Sequence, residues 1–97
     1  MLQNYSMLFG MVEILGKKWI VPLLLILLFC EKTTFSKMKR QLGMTSRALS
    51  KKLKLLETMG LVEKIAESPR NVIYALCGKG REVAQSLLGF AENFSKA

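Results

Sequence analysis

The sequence predicts one small α+β domain, mostly helical. Three observations carry that prediction. Leu49, Leu53 and Leu56 recur at the i, i+4, i+7 spacing of a helix with one buried stripe, while Arg47, Ser50, Lys51 and Lys54 occupy its opposite side. Val72, Tyr74 and Leu76 alternate onto one face of a short strand, behind the turn-rich stretch Glu67-Ser68-Pro69-Arg70-Asn71. The 97 residues are 51% hydrophobic, enough for a single core and far too apolar for a disordered basic tail.

Taken in order, Tyr5 to Leu15 reads as a helix with two apolar faces, Leu8, Val12 and Leu15 on one and Met7, Met11 and Ile14 on the other. A helix greasy on two faces needs two partners, and one core supplies only one of them. Gly16 ends it. A second helix spans about 18–29, with Pro22 in its first turn, where a missing amide donor is tolerated. Thr33, Thr34 and Phe35 form a short extended piece. Ser36 is expected to cap a short helix over Lys37 to Leu42, and Gly43 stops it in the left-handed conformation that glycine adopts without strain. Thr45 or Ser46 caps the next helix, which runs to Met59. Gly60 ends that one, with Leu61 folding back on Leu56. Strands follow at Leu61 to Ala66 and Val72 to Cys77, and a last helix at about 79–94. In it Val83, Leu87, Phe90 and Phe94 form a stripe that Ala84, Leu88 and Ala91 widen beyond one core face. A hairpin directly after two helices joined by a three-residue turn is the layout of a winged helix-turn-helix. Residues 1–97 are thus read as a single domain, with the helix-turn-helix at about 36–59 and the wing hairpin at about 61–77.

Charge is concentrated in one place. Between Lys32 and Leu56 lie eight basic residues and no acid, fenced by Glu31 and Glu57. The remaining seven basic and seven acidic residues cancel, so the whole net charge of +8 belongs to this segment. A cationic surface that local points to a polyanion, above all nucleic acid. The chain has no His and no Asp, which removes the commonest general base and metal ligand, and no paired carboxylates at useful spacing. We read it as neither an enzyme nor a metal or cofactor protein. Cys30 and Cys77 cannot build a four-ligand zinc site and are read as reduced thiols without a switching role, since neither is expected in an exposed, thiolate-stabilising setting. The apolar run from Trp19 to Cys30 is 12 residues, against about 20 for a membrane span, so it reads as a buried helix. The uncharged start Met1-Leu2-Gln3-Asn4 does not resemble a signal peptide, so the expected location is the cytoplasm. Trp19 is read as a core anchor and the six methionines as gap-fillers.

These residues resemble the HxlR-type winged-helix regulators, relatives of the MarR type. Gly16-Lys17-Lys18-Trp19, opening an apolar helix, resembles the family's Gly-Gly-Lys-Trp entry, and Phe35 just before the first basic helix matches as well. Gly43 to Leu53 resembles the family's recognition helix, Gly60-Leu61-Val62 the exit from it, Pro69 to Leu76 the wing and its returning strand, and Lys79-Gly80 the start of the last helix. The resemblance covers about Gly16 to Ala91 and implies a dimeric transcription regulator whose dimerisation helices are 5–15 and 79–94. Some members sense oxidants through a cysteine before the first helix; this chain has none there. Cys77 stands where the family has a Thr that caps the last helix.

The DNA-binding candidates follow from the helix-turn-helix and wing. Arg47 is the expected base reader, since it lies near the helix N-terminus and its guanidinium pairs bidentately with guanine. Lys51, Lys52 and Lys54 are expected on phosphates, beside Ser50. Thr45 and Ser46 offer capping and free amides to a phosphate. Ser36, Lys37, Lys39 and Arg40 flank the groove, and Arg70 is the candidate at the wing tip. The dimer-interface candidates are Leu8, Val12, Val83, Leu87, Phe90 and Phe94. The expected partners are double-stranded DNA at inverted repeats and a second copy of the chain, with no membrane partner; an effector is not legible. A winged helix binding RNA or a protein partner is the alternative. The lack of aromatic residues among the exposed Arg and Lys favours duplex DNA over single strands.

Overall fold

The computed structural model describes residues 5–68 and 70–96, except for the side chains of Met7, Ser95 and Lys96. Met1 to Asn4, Pro69 and Ala97 lie outside the described residues, as does the expected place of the Met7 side chain on the first helix. Among the described residues, five helices and three short strands follow in the order α1 (Tyr5–Leu15), α2 (Ile20–Cys30), β1 (Lys32–Thr34), α3 (Phe35–Leu42), α4 (Ser46–Thr58), β2 (Val62–Glu67), β3 (Val72–Leu76) and α5 (Gly78–Lys96).

α2 is the central helix. Its residues are apolar throughout, and Ile20, Leu23, Leu24 and Leu27 are wholly buried. It starts later than the expected Lys18, because Trp19 takes the left-handed conformation (φ 77°) and turns the chain before the first helical residue. Trp19 packs on the core as expected of an anchor, with the Lys18 ammonium 5.3 Å from its ring centroid. Around α2 stand Met38 of α3, Leu49, Leu53 and Leu56 of α4, Tyr74 and Leu76 of β3, and Ala84 of α5. Met38 and Met44 are buried there.

The sheet is antiparallel in the order β1-β3-β2. Thr33 pairs with Tyr74, and Val62 with Leu76; a register shift between Lys64 and Ala66 bulges the wing at Ile65. The hairpin matches expectation. The third strand does not: the extended piece at Thr33 becomes an edge strand only because β3 offers it a free ladder.

Two further details correct the sequence reading. Thr34, not Ser36, caps α3. Its hydroxyl oxygen accepts from the Lys37 amide at 3.1 Å, because Phe35 packs against the core and the helix begins there. α5 starts at Gly78, one residue early, with the Arg81 amide donating to the Cys77 carbonyl at 2.8 Å. Gly43 (φ 66°) and Gly60 (φ 75°) are left-handed as expected. Past Gly60, the Leu61 amide donates back to the Leu56 carbonyl at 3.0 Å, the folded-back helix end that the sequence suggested.

The Cα radius of gyration is 14.0 Å. A compact domain of this length has about 12.5 Å. The excess reflects α1 and the far part of α5, which stand away from the core with large apolar side chains uncovered. Among the described residues no helix is long and apolar enough to cross a membrane.

Candidate nucleic-acid interface

α3, the three-residue turn and α4 position the basic residues. Thr45 caps α4 by accepting from the Ala48 amide at 3.1 Å. The leucine stripe then anchors α4 by its inner face: Leu49, Leu53 and Leu56 are wholly buried. Helical geometry does the rest. With these three turned inward, Arg47, Ser50, Lys51 and Lys54 are turned out, and all four are exposed. Among the described residues none of Arg47, Lys51 or Lys54 is in an ion pair; Lys64 and Glu67 of the wing are, at 3.9 Å. The outer face of α4 is therefore a set of free cations on a rigid support.

The other candidates divide between a cleft on α3 and the open surface. Ser36, Lys39 and Arg40 of α3 line one cleft of about 410 Å³ with Gly43 and Met44 of the turn. Ser50 and Lys54 line another of about 490 Å³ with Glu57, Thr58, Lys64 and Tyr74, between α4 and the wing. Lys37, Thr45 and Ser46 are exposed. Arg70 is exposed apart from these clefts, in the turn of the wing. That turn is closed by the Ser68 amide donating to the Asn71 carbonyl at 2.7 Å and the Asn71 amide donating to the Ser68 hydroxyl at 3.1 Å. Sequence reasoning missed Lys64 and Tyr74, which only the folding of the hairpin against α4 brings to the cleft. Burial, and then the nearby Glu57 and Glu67, raises the Tyr74 phenol above its ordinary value, so it remains a neutral hydrogen-bonding group at neutral pH.

The dimer-interface candidates divide into two sets. Leu8, Val12, Phe90 and Phe94 are exposed. Val83 and Leu87 are half-buried, packed against the domain's own core, and line a groove of about 370 Å³ with Leu15. Tyr5 and Phe9 add to the exposed apolar face of α1, their rings 5.8 Å apart, and were not singled out from the sequence. On α5 the Phe90 and Phe94 rings stack at 5.5 Å.

The cysteines depart from expectation in one respect. Cys30 is exposed at the last residue of α2, between the exposed Phe29 and Glu31. Cys77 is half-buried, and burial, with a smaller contribution from Glu63, pushes its thiol up, away from the thiolate form. No group of three or more His, Cys, Asp or Glu among the described residues could hold a metal ion.

A helix-turn-helix with an exposed basic second helix, followed at once by an antiparallel hairpin, defines a winged helix-turn-helix protein. The comparisons narrow the class. Residues 14–96 match the HxlR-like helix-turn-helix family. The chain is similar to the uncharacterized HTH-type transcriptional regulator YvaP of Bacillus subtilis (strain 168), with 37% identity across 78% of this chain and 72% of that one. Among solved structures it resembles a possible HxlR family transcriptional factor of Thermoplasma volcanium, with TM-score 0.72 and 29% identity over 87% of this chain and 77% of that one. It also shares the fold of Streptococcus pneumoniae FabT, solved in complex with DNA, with TM-score 0.75 and 18% identity over 98% of this chain and 72% of that one. The chain belongs to the HxlR-like helix-turn-helix family, and its relatives YvaP and the Thermoplasma volcanium protein are described as transcriptional regulators and not as enzymes.

Proposed function

We propose that the protein binds double-stranded DNA sequence-specifically, at inverted-repeat operators, as a homodimer. The observation that carries this reading is the outer face of α4, where Arg47, Ser50, Lys51 and Lys54 stand exposed on a helix fixed by three buried leucines. A helix so equipped fits the major groove, Arg47 reading a base edge and the lysines holding phosphates. Ser36, Lys37, Lys39, Arg40, Thr45 and Ser46 add contacts beside the groove, and Arg70 reaches for the backbone or minor groove from the wing. The complex of FabT with DNA supports this use of the shared fold. On this reading the protein works in the cytoplasm, with the DNA.

The dimer half of the proposal rests on the uncovered apolar faces of α1 and α5. Phe94 is 76% exposed and Phe90 66%, with Leu8, Phe9 and Val12 on α1 all more than half exposed. Covering a phenylalanine fully is worth about 1.5–3 kcal/mol, so two helices of this kind per chain favour a self-complementary contact. A two-fold axis through that contact spaces the two recognition helices and gives half-sites about one helical turn apart, or a small multiple. Sedimentation of the full chain, with and without DNA, tests it. The wild type is expected to sediment as a dimer, and Phe94→Lys to weaken the dimer by at least about 2 kcal/mol, or roughly thirtyfold in dissociation constant. A wild type that remains monomeric at micromolar concentration, free and on DNA, contradicts the dimer.

A further inference from the structure

We propose that Lys17, in the turn between α1 and α2, joins Lys51 and Lys52 of α4 to hold a sugar–phosphate segment of duplex DNA on the flank of α4 that faces away from the wing. This rests on the DNA-binding reading above and adds to it a contact from outside the helix-turn-helix. Lys17 lies well before the basic block of 32–56 in the sequence and belongs to none of its helices. The fold nevertheless brings it to α4, where Lys17, Lys51, Lys52 and Leu55 line one cleft of about 310 Å³.

Three features make the cleft a site for an anion. Among the described residues its charged lining is three lysines and no carboxylate, whereas the cleft on the wing side of α4 includes Glu57. Ammonium groups gathered in one cleft repel one another until an anion enters. Leu55 adds an apolar lining residue, the kind of surface that suits lysine stems whose charged ends stay in solvent. The backbone of Lys17 is also held at both ends. Its amide donates to the Ile14 carbonyl at 3.0 Å, and its own carbonyl accepts from the Ile20 amide at 3.3 Å. The neighbouring Lys18 is turned onto the Trp19 ring instead, so the Lys17-Lys18 pair splits into one lysine for α4 and one for the core anchor.

Position identifies the anion. A helix in the major groove has a sugar–phosphate strand along each side. The wing side of α4 has Lys54 and Lys64 near one strand; the opposite side has Lys51 and Lys52, and Lys17 completes it. Lys17 is also two residues past the end of α1, so this contact ties DNA to the helix whose apolar face awaits a partner.

The test is anisotropy titration of the full chain against a duplex recovered by selection and against a random-sequence duplex, across about 50–200 mM salt. Lys17→Gln is expected to weaken both duplexes by the same factor and to lower the salt slope by about one unit per protomer, with Lys17→Arg restoring it. Lys79→Gln, an exposed charge change on α5, keeps the wild-type slope. If Lys17→Gln keeps wild-type affinity and slope while Lys54→Gln loses a unit, Lys17 is no phosphate contact and the DNA reading stands. A weakened Lys17→Gln with an unchanged slope likewise overturns the proposal, because the loss is then structural. Should the wild type bind neither duplex, the DNA reading falls and takes this proposal with it.

Discussion

Gly80→Ala is expected to destabilise the protein by about 3 kcal/mol or more, lowering the melting temperature by roughly 15 °C. Gly80 is buried in the first turn of α5, and a Cβ there would fall on the Leu61 backbone carbonyl. The obstacle is backbone, not the end of a flexible side chain, so relief requires moving α5 off the start of the hairpin. That same carbonyl accepts from the Cys77 amide at 2.9 Å, and the shift would strain this bond as well. The cost is a large share of what a small domain has in hand, about 5–15 kcal/mol in total. Gly78→Ala is the control. It opens the same helix, but a Cβ there meets nothing within 4 Å, so the change is expected to be neutral or mildly stabilising. Thermal melts of the two variants check the contrast; Gly80→Ala melting with the wild type would mean that α5 does not approach the hairpin this closely.

Arg47→Ala is expected to cost about 1–3 kcal/mol per half-site on the preferred duplex and to relax the choice of base at one position. Lys54→Ala is expected to weaken preferred and random duplexes alike and to reduce the salt slope by about one unit per protomer. The two residues sit on the same outward face of α4, and both are exposed. Their roles differ because a planar guanidinium matches the paired acceptors of guanine, while an ammonium acts as a point charge on phosphate. Both side chains point away from the core, so melting temperatures should stay close to the wild type. The measurement is a full set of affinities for single-base variants of the preferred site. Equal loss by Arg47→Ala on preferred and random DNA would remove Arg47 from the role of base reader.

Much of this fold was legible because its signals are local. Leu49, Leu53 and Leu56 announce α4 and its outward face in one step, and Gly43 and Gly60 mark helix ends that need a left-handed residue. The alternation of Val72, Tyr74 and Leu76 announces the hairpin. What escaped is non-local. Lys32 to Thr34 is too short to read as a strand until β3, some forty residues on, supplies its partner. Ser36 is a residue type that caps helices and stands before Lys37 to Leu42, but the packing of Phe35 starts α3 earlier and gives the cap to Thr34. Lys64 and Lys17 carry no mark of their own; each joins the surface around α4 only because a hairpin or a turn folds against it. The requirement for glycine at position 80 comes from the Leu61 backbone and is invisible in the residues around it.

Competition binding tests the central claim most directly. A labelled duplex obtained by selection with the full chain is bound, then challenged with the same site, a scrambled duplex, each single strand, and RNA of the same sequence. The selected site is expected to have inverted-repeat symmetry, its half-sites about 10 base pairs apart or a small multiple. That duplex should compete at least about a thousandfold better than the scrambled one. Single strands or RNA competing as well as the selected duplex would contradict double-stranded DNA as the partner of this basic face.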